Sequence, residues 1–353
     1  MQQLRASLTL LAALMAGPVV AQSTPVSIAL DWTPNTNHIG LYVAKAKGFY
    51  DASGIDVEIL PYTDTSAATL VANGVADFGI IGSIGLFTQR AAGADLVAAY
   101  ALVQTETGRL VFKADRDDIQ TPRDLDGKIY AGFGSGWEAA LIGTIIRQDG
   151  GDGTFETVTL GTSAYEALAN GAVDFTLEVY TWEGVKAERD GPAQRAFRYA
   201  DYGVPDQHTN FLGTTGTYLS EHPDTAQAFI SASRRGYAYA VDHPDEAADI
   251  LVAANADTLL DRDFVRASLE ALIDGHYLEA EDGTIGTIDP EKMEKMGHFL
   301  FEAGLLKDGD GAVLDDMPDF SNYYTNDFMG IARSTSSFED PAIQEGDQKP
   351  AAQ

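Results

Sequence analysis

Cysteine is missing from all 353 residues, which excludes a disulfide framework, a thiolate metal site and a cysteine nucleophile. It also leaves nothing for a lipid anchor on an amino-terminal cysteine. Cations are scarce: 23 Lys and Arg stand against 53 Asp and Glu, a formal net charge of −30. Nucleic-acid binding rests on phosphate neutralisation by Lys and Arg, so no nucleic-acid partner is expected. Apolar runs are short, and the one near the start, Leu8 to Leu14, is far below the roughly 20 residues that span a bilayer. The six histidines are scattered, with no pair at metal-ligand spacing. There is no Gly-x-Ser-x-Gly elbow, and no dinucleotide fingerprint or P-loop. Asp308-Gly309-Asp310-Gly311 lacks the remaining ligands of a calcium loop. No catalytic constellation, cofactor or metal is expected.

What is present begins with an address. Arg5 precedes the apolar run, and Val19 and Ala21 supply small residues at positions −3 and −1, the pattern of a secretory signal peptide cut after Ala21. A freely diffusing periplasmic protein is expected. From Arg333 to Gln353 the chain is rich in Ser, Glu, Asp, Pro and Gln and reads as a disordered tail.

The sequence also repeats itself. Thr65-Ser66-Ala67 leads through Ala72-Asn73-Gly74 to Asp77-Phe78. Thr162-Ser163-Ala164 leads through Ala169-Asn170-Gly171 to Asp174-Phe175, at identical spacing. Each copy reads as a short helix ended at Asn-Gly, where a left-handed cap is needed, followed by an apolar strand. Upstream, each half has a strand entering a loop and then a helix: residues 26–30 into 38–49, and 128–132 into 137–148. The expected fold class is α/β, a two-lobed binding-protein fold of type II in which each lobe is a mostly parallel sheet flanked by helices. The expected divisions are a signal peptide (1–21), the first part of lobe 1 (22–110), lobe 2 (111–204), the second part of lobe 1 (205–332) and the tail (333–353). Helical spacing over 225–241, 244–254, 263–276 and 290–303 completes lobe 1. Crossings near 108–115 and 202–211 would form a hinge.

Open α/β sheets bind ligands beyond the carboxyl ends of their strands. Four loops lie at such ends: 31–38 and 81–86 in one half, 133–138 and 178–183 in the other. The first belongs to Leu30-Asp31-Trp32-Thr33-Pro34-Asn35-Thr36-Asn37-His38, followed by Ile39-Gly40-Leu41-Tyr42-Val43-Ala44 and Lys47-Gly48-Phe49-Tyr50. This stretch resembles the substrate-binding proteins of ABC importers for thiamine pyrimidine precursors, and the thiamine-pyrimidine synthases that share their fold. The resemblance implies a receptor for a formylaminopyrimidine or hydroxymethylpyrimidine, working as a monomer with a membrane permease. The synthases consume a lysine that holds pyridoxal phosphate and a nearby histidine. Alignment on Asp77-Phe78-Gly79 puts Ile81 and Gly85 in those places, and the synthases' cysteine-rich motif is absent. Binding without catalysis is therefore the expectation. Riboflavin or an aliphatic sulfonate are other ligands of such receptors, though Arg and Lys are absent from all four loops. An enzyme or sensory domain on the same scaffold is the reading from another class.

A flat heteroaromatic ligand needs stacking faces and a few fixed polar groups. Trp32, Tyr180 and Trp182 offer faces; Asn35, Asn37, His38 and Ser83 offer polar contacts; Glu178 and Glu183 offer acceptors for an exocyclic amine. Each has a structural alternative. Trp32 could pack between lobes, Asn35 and Asn37 could form the turn after Pro34, and His38 could cap the following helix. Of the two glutamates, Glu178 is preferred because it leaves a buried strand directly, and Glu183 is the one expected to be solvated. Tyr180 and Trp182 share one side of a segment read as extended, so at least one should reach the cleft. The run Gly132-Phe133-Gly134-Ser135-Gly136-Trp137-Glu138 either presents N–H groups to a ligand anion or carbonyl, with Gly134, Ser135 and Glu138 as contacts, or is only the turn between strand and helix.

Overall fold

The computed structural model describes residues 23–280 and 282–329. The signal peptide expected at 1–21 and the tail expected at 333–353 lie outside them. Ten strands form two sheets: β1 (Thr24–Ala29), β2 (Ile55–Leu60), β3 (Phe78–Gly82), β4 (Val97–Ala101), β5 (Gly108–Lys113), β6 (Ile129–Gly132), β7 (Glu156–Thr159), β8 (Phe175–Val179), β9 (Gln194–Arg198) and β10 (Asn210–Thr214). The first sheet has the order β2-β1-β3-β10-β4 and the second β7-β6-β8-β5-β9. Within each, the three strands of the repeated unit are parallel. The fourth position is filled by an antiparallel strand, β10 or β5. In both sheets that strand is the one by which the chain arrives from the other lobe.

Local sequence explains these positions. On edge strand β2, Ile55 and Val57 are buried while Asp56 and Glu58 are exposed, the period-two signature of a half-buried strand. Phe78, Gly79, Ile80 and Ile81 on β3 are all buried, as a strand covered on both faces requires. The repeat is structural as well as textual. The helices before β3 and β8 both end at Asn-Gly, with Gly74 and Gly171 left-handed at φ 68° and 77°. The aspartate that follows does the same work in each copy: Asp77 accepts the N–H of Ser27 on β1 at 2.7 Å, and Asp174 that of Ile129 on β6 at 2.7 Å.

The helices are α1 (Ile39–Ala46), α2 (Phe49–Ala52), α3 (Ala67–Ala72), α4 (Ser83–Ala91), α5 (Gly136–Gln148), α6 (Ala164–Ala169), α7 (Val185–Asp190), α8 (Gly216–Glu221), α9 (Pro223–Asp242), α10 (Pro244–Ala254), α11 (Arg262–Asp274) and α12 (Pro290–Glu302). The helix expected over 38–49 is interrupted, because Gly48 turns left-handed at φ 67° and separates α1 from α2. After β10 the chain packs back on the first sheet, α9, α10 and α11 over one face and α12 over the other. At the α1–α9 crossing, a Cβ on Gly236 would lie 2.0 Å from the Gly40 carbonyl oxygen, so only glycine allows this approach. The crossing carries the loop 31–38, since Tyr237 Oη on α9 donates to Asn37 O at 2.7 Å. The outward passage between sheets runs over residues 102–107, and β5 lies wholly in the second sheet. That is earlier than the 108–115 read from sequence, because a strand in the fourth position must belong to the sheet it enters.

Candidate ligand cleft

Aromatic contacts bring the carboxyl ends of the two sheets together. Trp182, in the turn after β8, packs on Phe264 of α11 with ring centroids 4.4 Å apart. Trp137, at the start of α5, meets Phe299 of α12 edge-on at 6.0 Å.

On the first wall, Asn35 caps the turn Thr36–His38. Its side chain accepts the N–H of Asn37 at 2.9 Å and donates to Thr33 O at 3.0 Å. His38 closes the box, its Nδ1 accepting the Asn35 N–H at 3.4 Å. With Nδ1 so used, Nε2 carries the proton and gives it to Asp31 Oδ1 at 2.8 Å. His38 is fully buried and acts through Asp31. Asp31 itself is 30 % exposed, and its other oxygen lies 3.4 Å from Asn210 Nδ2. Oδ1 of Asn210 is buried with no donor among the described residues. Trp32 is half-buried beside Tyr62, centroids 5.2 Å apart. Ser83 is buried at the head of α4, where its N–H donates to Thr209 O at 3.1 Å.

On the second wall the glycine-rich loop has its own anion. Glu138 is buried, and its oxygens take Tyr130 Oη at 2.7 Å, Phe133 N at 2.9 Å and Ser135 N at 2.7 Å. Ser135 Oγ accepts the Glu138 N–H in return, a reciprocal capping box. Gly134 supplies the left-handed step, φ 73°. Of the two readings of this loop, ligand contact or turn, these bonds are those of the turn: both Glu138 oxygens accept donors from its own lobe.

The segment after β8 is not extended. Residues Tyr180–Gly184 form one wide helical turn, which sends successive side chains to different quarters rather than to one side. Trp182 goes to Phe264, as above. Tyr180 lies under the Arg109 guanidinium, 4.2 Å from its ring centroid, and lines a separate groove of about 540 Å³ with Tyr277, Glu188 and Glu270. Glu178 is buried and bound through Oε1 by Nε (2.8 Å) and Nη2 of Arg109. Burial still raises its carboxyl above the usual range, against the pull of that guanidinium. Glu183, expected to be solvated, has a buried Oε2 that no donor among the described residues reaches. Burial pushes its carboxyl up to about 7, opposed by its own N–H and that of Val179 and helped by the charge of Glu178. Tyr165, at the start of α6, lies within electrostatic reach of Glu183, Glu178 and Glu138, and burial raises its hydroxyl.

Asp31, Tyr62, Arg109, Tyr165 and Asn210 were not singled out from sequence. Asp31 was within reach, since it ends the first strand inside the quoted motif. Arg109 lies 69 residues from Glu178, and only the sheet order pairs them.

With this geometry in hand, comparison with known proteins is decisive on descent. A family described as NMT1/THI5 like matches residues 35–247. The chain belongs to that family. The formylaminopyrimidine-binding protein of Halalkalibacterium halodurans is 27 % identical over 78 % of this chain and 84 % of its own length. A 4-amino-5-hydroxymethyl-2-methylpyrimidine phosphate synthase of Legionella pneumophila is 24 % identical over 86 % of this chain and 92 % of its own. Among solved structures, the periplasmic aliphatic sulphonate binding protein of Escherichia coli superposes with a TM-score of 0.64 at 18 % identity, covering 85 % of this chain and 91 % of that one. This last likeness establishes the two-lobed α/β binding-protein fold. The family thus includes both binders and synthases, and the positions where the synthases' lysine and histidine were sought are Ile81, buried on β3, and Gly85 in α4.

Proposed function

We propose that this chain is the periplasmic solute-binding receptor of an ABC importer, and that it holds a thiamine pyrimidine precursor of the formylaminopyrimidine or hydroxymethylpyrimidine type between its lobes. The observation that carries the reading is the Glu183 carboxyl, raised to about 7 with an unpartnered buried oxygen. Near neutrality such a group both donates and accepts. An aminopyrimidine edge offers the matching pair, a ring nitrogen and an amine, and two-point hydrogen bonding in a desolvated cleft gives orientation as well as affinity. Trp32 and Tyr62 provide aromatic surface, and stacking adds about 0.5–1.5 kcal/mol beyond burial. Asp31 and Asn210 supply further polar contacts on the facing wall. A sulfonate is disfavoured, because Arg109 is already neutralised by Glu178 and the remaining wall is acidic. The residues at Ile81 and Gly85 can neither form an imine nor donate an imidazole, which supports binding without turnover.

Thermal unfolding with formylaminopyrimidine, hydroxymethylpyrimidine, riboflavin and taurine tests this directly. A pyrimidine at 100 times its Kd should stabilise by about 2.7 kcal/mol, and mass spectrometry should recover it unchanged. Glu183→Gln should weaken binding by about tenfold or more. Stabilisation by taurine or riboflavin alone, or a chemically altered ligand, would overturn the proposal.

A further inference from the structure

A polar relay that touches none of the groups assigned to the ligand runs across the lobe interface. Ser268 lies in the middle of α11, fully buried among Phe264, Val265, Leu269 and Leu272 of the same helix. Its Oγ is 2.5 Å from Thr181 O and 2.6 Å from Thr36 Oγ1. A carbonyl only accepts and a serine hydroxyl has one proton, so Ser268 donates to Thr181 and Thr36 donates to Ser268. The relay has a direction: Thr36 to Ser268 to the Thr181 carbonyl. Thr36, Ser268 and Thr181 are each no more than 1 % exposed, and a hydroxyl on an apolar helix face is costly unless partnered.

Its ends are informative. Thr36 opens the turn capped by Asn35, five residues after Asp31. Thr181 lies two residues before Glu183, in the turn whose Trp182 packs on Phe264. We infer that Ser268 is a positioning residue for ligand retention: it pins the Glu183 turn of one lobe to the Asp31 loop of the other, and this bond must break before the lobes part. The inference rests on reading the cleft as the ligand site.

The physical asymmetry makes it testable. With the lobes apart, Thr181 O is hydrated and Ser268 contributes nothing to the encounter. With the lobes together, loss of the donor leaves a buried carbonyl unpaired. Ser268→Ala should therefore raise the ligand dissociation rate by about tenfold and leave the association rate within about twofold, read by stopped-flow tryptophan fluorescence with formylaminopyrimidine. Ser268→Cys, similar in shape but a weak donor, should fall between. Because the chain has no cysteine, Glu58→Cys and Glu156→Cys on the exposed edges of the two sheets accept a label pair. In that background Ser268→Ala should broaden the lobe-to-lobe distance distribution toward longer values without any ligand being needed. Unchanged dissociation and unchanged distances, with only a lowered melting temperature, would make Ser268 a core residue and overturn the inference. If the unsubstituted chain binds no pyrimidine, the functional proposal fails, and the label pair still decides the role of Ser268.

Discussion

The two walls of the cleft are built by the same device and use it differently. In each lobe the loop after the first strand ends in a reciprocal capping box, Asn35 with His38 and Ser135 with Glu138. The third position decides what is left over. Histidine has a second nitrogen, so His38 satisfies the turn and still orients Asp31, whose carboxylate stays 30 % exposed. Glutamate has no such relay, and Glu138 uses both oxygens on its own loop. In the proposed reading the polar group offered to the ligand on the second wall is Glu183, in the turn after the third strand of the unit. The two capping boxes differ in the residue that closes them, His38 in one copy and Glu138 in the other.

The sharpest way to break this comparison is to remove the two box-closing residues separately. Glu138→Ala strands one buried donor, Tyr130 Oη, and frees two N–H groups of the more exposed loop, Phe133 N and Ser135 N. The expected loss of stability is about 3 kcal/mol, measured by urea unfolding. His38→Ala strands fewer groups, the Asn35 N–H and a carboxylate that still reaches water, and should cost about 2 kcal/mol. Ligand affinity should move the other way. His38→Ala unfastens Asp31 and should weaken binding, while a folded Glu138→Gln variant should bind nearly as the parent does. If Glu138→Gln lost binding with stability intact, the loop would be a ligand contact after all.

This contrast also shows what the sequence could disclose. The repeat, the Asn-Gly caps and the strand-end loops follow from local spacing, and all are features that neighbouring residues impose on each other. Helices after residue 222 were legible for the same reason, with Asp289 capping α12 through Glu291 N at 2.8 Å. The allocation of polar groups was not legible, because it depends on partners far away in the chain. Arg109 reaches Glu178 only because a crossing strand fills the fourth place of the second sheet. Tyr180 and Trp182 were expected on an extended segment, whereas residues Tyr180–Gly184 form a wide helical turn. Trp182 there packs on Phe264, a partner that lies far away in the chain.

The smallest predicted effect concerns the second wall alone. Glu183 has a folded pKa of about 7 against an ordinary 4.5, so the folded chain holds its proton more tightly than the unfolded one. Stability from this group is complete below pH 4.5 and is lost as pH rises through about 7. Each unit of rise is worth about 1.4 kcal/mol, so the loss across that window should be at least about 1.5 kcal/mol. Glu183→Gln should therefore match the parent near pH 4 and exceed it by at least about 1.5 kcal/mol above pH 7. The parent's decline should be reduced in the variant rather than abolished, since Glu178 and Glu106 are raised by burial in the same sense. Equal slopes in the parent and in Glu183→Gln would remove Glu183 as the titrating group, and with it the polar contact proposed for the second wall.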